Sequence, residues 1–173
     1  MASNGSALVD ALEHVVVDYI RMNADIVDRN RYGDPEWSYR SAYHLLLDHG
    51  RFFTPTARPS DVSKLPDRFC YQNAVTTAYA YGDHGLLYAE GFACSRAAAG
   101  IPIQHAWCVL PDGTVVDPTW EPTADVYFGV AVTDPALWPS DGGGLLSDFE
   151  RCLPLLRDRL PADMLGSVGR KHS

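Results

Sequence analysis

The stretch Leu110-Pro111-Asp112-Gly113-Thr114 constrains this chain most, because its turn chemistry dictates how two flanking apolar runs can pair. Proline suits the first corner of a type I turn, aspartate the second, and glycine the left-handed position that follows. Together they specify a three-residue hairpin loop with a glycine bulge. That loop opposes Leu110 to Thr114. Counting back along both strands then opposes Val109 to Val115, Cys108 to Val116, Trp107 to Asp117 and His105 to Thr119. Opposed residues share a face and successive residues alternate, so His105, Trp107 and Asp117 project from one side and Cys108 from the other. His105 and Asp117 become diagonal neighbours about 7–8 Å apart at the backbone, a gap two side chains can bridge. A two-residue loop at Asp112-Gly113 would instead turn Asp117 away, since a one-residue slip inverts every side chain.

A histidine beside a buried carboxylate gains chemical meaning when a nucleophile is near, and Cys70 supplies the candidate. It begins a segment suited to a helix as far as about Tyr81, ended by Gly82, with Asp67 as a possible cap. A thiol attacks as its thiolate, so a nucleophilic cysteine needs positive potential. The unpaired N–H groups and dipole of a helix start provide it, and a protonated His105 adds to it. Asn73 lies one turn beyond Cys70 on the same helical face. Either Asn73 or Gln72 could donate to an oxyanion beside the Cys70 backbone N–H, or could simply anchor the helix. Glu90 shares a strand face with Tyr88 and Phe92, where a carboxylate either meets a substrate amine or joins a structural ion pair. Trp107, Trp120 and Tyr127 are candidate walls of a dry substrate pocket.

The rest of the chain reads as scaffold. Ser6 can cap a helix extending to about Arg29, with Leu8, Leu12, Val15, Val16, Tyr19, Met22 and Ile26 as its apolar stripe. Tyr39, Tyr43, Leu46 and Leu47 suggest a second helix ending at Gly50. His44 and His49 on or beside it are packed or surface residues, because their spacing does not suit two ligands on one helical face. Arg51 to Asp67 is expected as an extended, proline-rich loop. Strands are expected at 86–93, 103–110, 114–119 and 126–132. Pro139 to Gly144 reads as a linker, or a mobile lid, and lacks the Lys and Ser/Thr of a phosphate loop. A last helix over 145–156 and a frayed tail at Gly169–Ser173 complete the chain. Helices followed by an antiparallel sheet predict an α+β fold, one domain over 1–173 with a helical portion at 1–66 and a core at 69–132.

Composition excludes several classes of function. A formal charge of -8 opposes a large phosphate-binding surface, so nucleic acid is not expected as a partner. Asp10, Glu13 and Asp18 interrupt the first apolar run, which supports neither a signal peptide nor a membrane span and makes the cytoplasm the expected location. Without a secretion signal, Cys70, Cys94, Cys108 and Cys152 are expected as free thiols, the second and fourth simply packed. Zinc held by Cys70, His105 and Cys108 conflicts with the strand parity, so neither metal nor cofactor is expected.

From Cys70 to Thr119, less than a third of the chain, the sequence resembles the transglutaminase-like branch of the papain-like cysteine-enzyme superfamily. The matching pieces are the cysteine at a helix start, Gly100-Ile101-Pro102, His105-Ala106-Trp107 and Val116-Asp117-Pro118-Thr119, in the order Cys, His, Asp. The resemblance implies a papain-like core with Cys70 as nucleophile, His105 as general base and acid, and Asp117 as orienting carboxylate. It also implies a thioester intermediate and a small-molecule, peptide or carrier-bound acyl substrate. Amidase or peptidase-type hydrolysis is the expected outcome, with amide-forming acyl transfer or a non-catalytic binding module as alternatives. Phe69 departs from the relatives, where a small residue commonly precedes the cysteine, and so leaves open the shape of the entrance.

Overall fold

A computed structural model describes residues 3–158, 160–161 and 163–172. The chain forms α1 (Ser3–Arg29), α2 (Ala42–His49), β1 (Arg51–Phe53), α3 (Cys70–Ala80), β2 (Leu87–Cys94), β3 (Ile103–Val109), β4 (Val115–Val116), β5 (Val126–Val132), α4 (Phe149–Arg157) and β6 (Arg170–Lys171). This is the expected α+β class. The strands make one six-stranded antiparallel sheet in the order β4-β3-β2-β5-β1-β6.

The sheet curls until Thr54, just past β1, bridges Thr114, just before β4. Thr54 N–H donates to the Gly113 carbonyl and Val115 N–H to the Thr54 carbonyl, each at 2.9 Å. The curl separates two apolar clusters. On the outer face Tyr88, Phe92, Ala106, Cys108 and Phe128 pack beneath the helices, against residues such as Ile20, Leu45, Ala74 and Leu155. On the inner face Phe53, Ala89, Ala93, Trp107, Val109, Tyr127 and Ala131 fill the concavity. A tightly curved inner face has little room. A Cβ on Gly129 would stand 2.3 Å from the Glu90 carbonyl and 2.9 Å from the Trp107 ring, so glycine there admits the indole.

The hairpin register is the expected one. Cys108 opposes Val116 and Val109 opposes Val115, Leu110 N–H donates to the Thr114 carbonyl, and Gly113 takes φ 87°. The second strand, however, stops at Val116 instead of Thr119. Pro118 has no N–H to give, and the Asp117 carboxylate captures the amides of Thr119 and Trp120.

Other expectations need correction. The 51–67 segment is not all loop, because Arg51-Phe52-Phe53 pairs with both β5 and β6 and places a strand inside the portion expected to be helical. The tail is not frayed at Arg170 and Lys171, which form that edge strand; Ser173 lies outside the described residues. Ser6 sits inside α1, which starts at Ser3. The buried stripe of α1 is Val16, Val17, Ile20 and Ala24, while Leu8, Val15, Met22 and Ile26 remain partly exposed. The second helix starts at Ala42, after Tyr39, and the last at Phe149, four residues after Leu145. Among the described residues no helix is long and apolar enough to cross a membrane.

Candidate functional site

The start of α3 is set by backbone and by Asn73, not by Asp67. Phe69 occupies the cap position without a side-chain bond, Arg68 adopts φ 70°, and Asp67 instead accepts from Lys64 Nζ at 2.7 Å. Asn73 is buried and donates through Nδ2 to the Pro66 carbonyl at 2.8 Å and to Thr119 Oγ1 at 3.0 Å. It therefore ties the first turn of α3 to the loop before it and to the segment after Asp117. Of the two roles open to it, the structure gives Asn73 the anchoring one. Leu65 N–H reinforces the tie by donating to the Pro118 carbonyl at 2.7 Å. The first helical hydrogen bond runs from Asn73 N–H to the Phe69 carbonyl, so the amides of Cys70, Tyr71 and Gln72 precede the helical ladder. The Gln72 amide makes a long contact of 3.4 Å to Thr76 Oγ1 and is half-buried.

His105 lies on the inner face of β3 opposite Gly91, almost completely buried. Its Nε2 is 2.8 Å from Asp117 Oδ2. The same carboxylate oxygen accepts from Tyr127 Oη at 2.7 Å, while Oδ1 accepts from Thr119 N–H at 2.8 Å and Trp120 N–H at 3.0 Å. Asp117 is fully buried, and burial by itself would raise its carboxyl; the hydrogen bond and charge of His105, with Tyr127 and the Trp120 amide, hold it below the ordinary value. Burial likewise opposes charge on His105. Its hydrogen bond to Asp117 and its interaction with the Cys70 side chain outweigh that and raise the imidazole from 6.5 to about 9. With Nε2 committed to Asp117, Nδ1 is the ring nitrogen left for the thiol.

Trp120 stacks on the imidazole at 4.0 Å between centroids and 19° between planes, fixing the ring's rotation and favouring its cationic form. Trp107 and Tyr127 are placed differently from the substrate walls expected of them. Both are fully buried in the inner cluster, where Tyr127 orients Asp117 and accepts from Ala124 N–H at 3.0 Å. Trp120 alone of the three reaches the surface, beside a cleft of about 450 Å³ that it shares with Arg58, Glu121 and Pro122.

Glu90 forms no ion pair among the described residues. Its Oε2 accepts from Tyr88 Oη and Leu145 N–H, both at 2.6 Å, and its Oε1 from Leu146 N–H at 2.9 Å and Ser147 N–H at 3.1 Å. Burial pushes its carboxyl up despite these donors. Apart from Tyr88, its neighbour on the strand face, the partners of Glu90 were not legible in advance, because backbone amides carry no residue-specific signal. The effect is to pin the chain after the glycine-rich segment, which rests on α3: a Cβ on Gly144 would come within 2.6 Å of the Tyr71 ring.

The other thiols stand apart. Cys108 is buried on the outer face and donates to the Ala74 carbonyl at 3.1 Å, facing away from His105 as the parity requires. Cys94 and Cys152 are buried, and all four cysteines are free. Among the described residues no group of His, Cys, Asp and Glu is arranged to hold a metal. His44 meets Ser41 and Asp28, and His49 meets Tyr39 and Asp48, so neither belongs to the site. Phe69 points outward with 61% of its surface exposed and leaves the half-buried Cys70 accessible.

No family model, curated protein or solved structure matches this chain. Its chemistry has to be read from the side chains themselves.

The buried pair carries a pH signature. Folding raises His105, so its contribution to stability is complete below pH 6.5 and is lost as pH rises through about 9. Folding lowers Asp117, whose contribution is present above 3.8 and is lost as pH falls through its lowered value. The stability deficit of His105→Gln relative to wild type is therefore expected to be greatest from about pH 5 to 6.5 and to shrink towards pH 9. Urea unfolding across that range measures it, and a deficit independent of pH would contradict the assignment.

Proposed function

We propose that the protein is a cysteine-dependent acyl-enzyme catalyst acting on an amide or thioester, with Cys70 as nucleophile, His105 as base and acid, and Asp117 as orienting carboxylate. The observation that carries this reading is the buried 2.8 Å contact from His105 Nε2 to Asp117 Oδ2, in an imidazole whose charge also responds to Cys70, the one thiol of the four that is not buried. A nucleophile at a helix start, a base inside a strand and a carboxylate after the next strand together support placing the core in the transglutaminase-like branch of the papain-like superfamily.

In this cycle the Cys70 proton passes to His105 Nδ1 as Sγ bonds to the acyl carbon and the carbonyl electron pair moves onto oxygen. The early amides of α3, with Gln72 beside them, are the available donors to that oxygen. Collapse breaks the bond to the leaving group, which takes the proton from His105. Water then gives its proton to His105 and attacks the thioester; the C–S bond breaks and the thiol recovers its proton. Asp117 keeps Nδ1 directed at sulfur and favours the imidazolium formed in each half-reaction.

Hydrolysis is preferred to amine acylation because Glu90, the carboxylate best placed to hold an amine, is already saturated by the Leu145, Leu146 and Ser147 amides and Tyr88.

Competitive alkylation tests the nucleophile. Burial pushes the Cys94 thiol up, Cys108 further, and Cys152 to about 12, so all three should react slowly in the folded protein. Iodoacetamide at neutral pH is expected to modify Cys70 at least tenfold faster than any of them, read by peptide mass mapping. Equal rates for all four thiols in folded protein would count against the proposal.

A further inference from the structure

We propose that the outer-face cavity between α2, α4 and β2 binds the hydrophobic acyl group of the substrate, an inference that rests on the acyl-enzyme reading above. The cavity has a volume of about 400 Å³ and is walled by Trp37, Tyr43, Phe92, Leu146 and Leu156. That size and apolar character suit a small organic ligand.

Its position relates it to the sulfur. Gln104, immediately before His105, and Gly91, which opposes His105 across the β2–β3 ladder, both line it. Glu90 lines it too, and a Cβ on Gly144 would stand 2.5 Å from Glu90 Oε1 and 2.6 Å from the ring of Tyr71, the residue after Cys70, so this wall reaches the first turn of α3. The cavity thus borders the first turn of α3 through Glu90 and Ser147 and shares no wall residue with the cleft beside Trp120.

Charge decides the ligand class. Arg40, the one Lys or Arg in the wall, is paired with Asp28 at 3.1 Å and is not free to hold a carboxylate. Glu90, the one carboxylate, is saturated by its amides and Tyr88 and is not free to hold an amine. What remains is an apolar space for an uncharged chain. Tyr32 and Phe149 stand at its rim with 62% and 63% of their surfaces exposed, apolar area that a bound chain would cover. A space walled by helices and sheet suits the part of the substrate retained as a thioester, while the leaving group departs past Trp120.

The test uses Cys70→Ala protein, which binds without turnover, titrated calorimetrically with straight-chain primary amides from acetamide to octanamide. Affinity is expected to rise about three- to fourfold per added methylene. Octanamide should give intermolecular NOEs to Leu146 and Leu156 methyls, and Ala42→Phe in the same background should weaken its binding at least tenfold. If that variant fails to fold, the NOEs alone decide. Affinity independent of chain length, or NOEs only to residues elsewhere, would overturn the proposal. Chain-length-dependent binding at these methyls supports the pocket even if octanoyl thioester fails to acylate wild-type Cys70, a failure that would count against the catalytic reading alone.

Discussion

Asp117→Ala is expected to destabilise the fold by about 4 kcal/mol, because it breaks a buried charged pair and strands several donors at once. His105, the Tyr127 hydroxyl and the Thr119 and Trp120 amides all lose their acceptor, and the first three belong to buried residues with no water at hand to replace it. In a chain of 173 residues that loss corresponds to a fall in Tm of roughly 8–16 °C. Asp117→Asn keeps the shape and one acceptor oxygen, so its loss should be smaller, although its NH₂ would face a donor. Both changes should also lower activity, since the imidazole would be held in the wrong orientation and tautomer. Calorimetric melts of the three proteins provide the measurement. A change below about 1 kcal/mol for the alanine variant would mean that the carboxylate does not organise this region.

Cys70→Ala should separate chemistry from folding. The side chain is half-buried at a helix start, and alanine suits a helix, so stability is expected to change by less than about 1 kcal/mol. Turnover of an acyl substrate should nonetheless fall by about 10⁴-fold or more, because losing the nucleophile of a cooperating set removes most of what the set contributes. Steady-state kinetics with one responsive acyl donor, beside a melt of the same preparation, measures both. Retained turnover in Cys70→Ala would transfer the chemistry to another group.

The elements legible in the sequence were those set by local chemistry. Pro111-Asp112-Gly113 dictates its own turn, and with it the register that brings Asp117 to His105 and turns Cys108 away. Gly50 and the apolar pattern of Tyr43, Leu46 and Leu47 mark α2, and the continuous apolar run Val126–Val132 marks β5 to the residue. What local chemistry does not encode was missed. Arg51-Phe52-Phe53 is too short for a periodic signal and becomes a strand only because β5 and β6 flank it. Asp67 has the residue type of a cap, but Lys64 holds it while Arg68 turns the backbone. Glu90 stood out as a carboxylate in an apolar strand. Besides Tyr88, its partners are backbone amides fifty-five to fifty-seven residues away, which no side-chain pattern announces. The inner curl explains why Trp107 and Tyr127 are buried behind the site instead of lining it: both pack into the apolar cluster that fills the concave face.

The central claim is that Cys70 accepts an acyl group with His105 as its base. Intact-mass spectrometry after brief exposure to a panel of activated acyl thioesters and esters tests it most directly. Wild-type protein should gain the mass of one acyl group, mapped to Cys70 and released on longer incubation, while His105→Gln should acylate far more slowly and Cys70→Ala not at all. An acyl adduct on another residue, or equal acylation of wild type and His105→Gln, would contradict it.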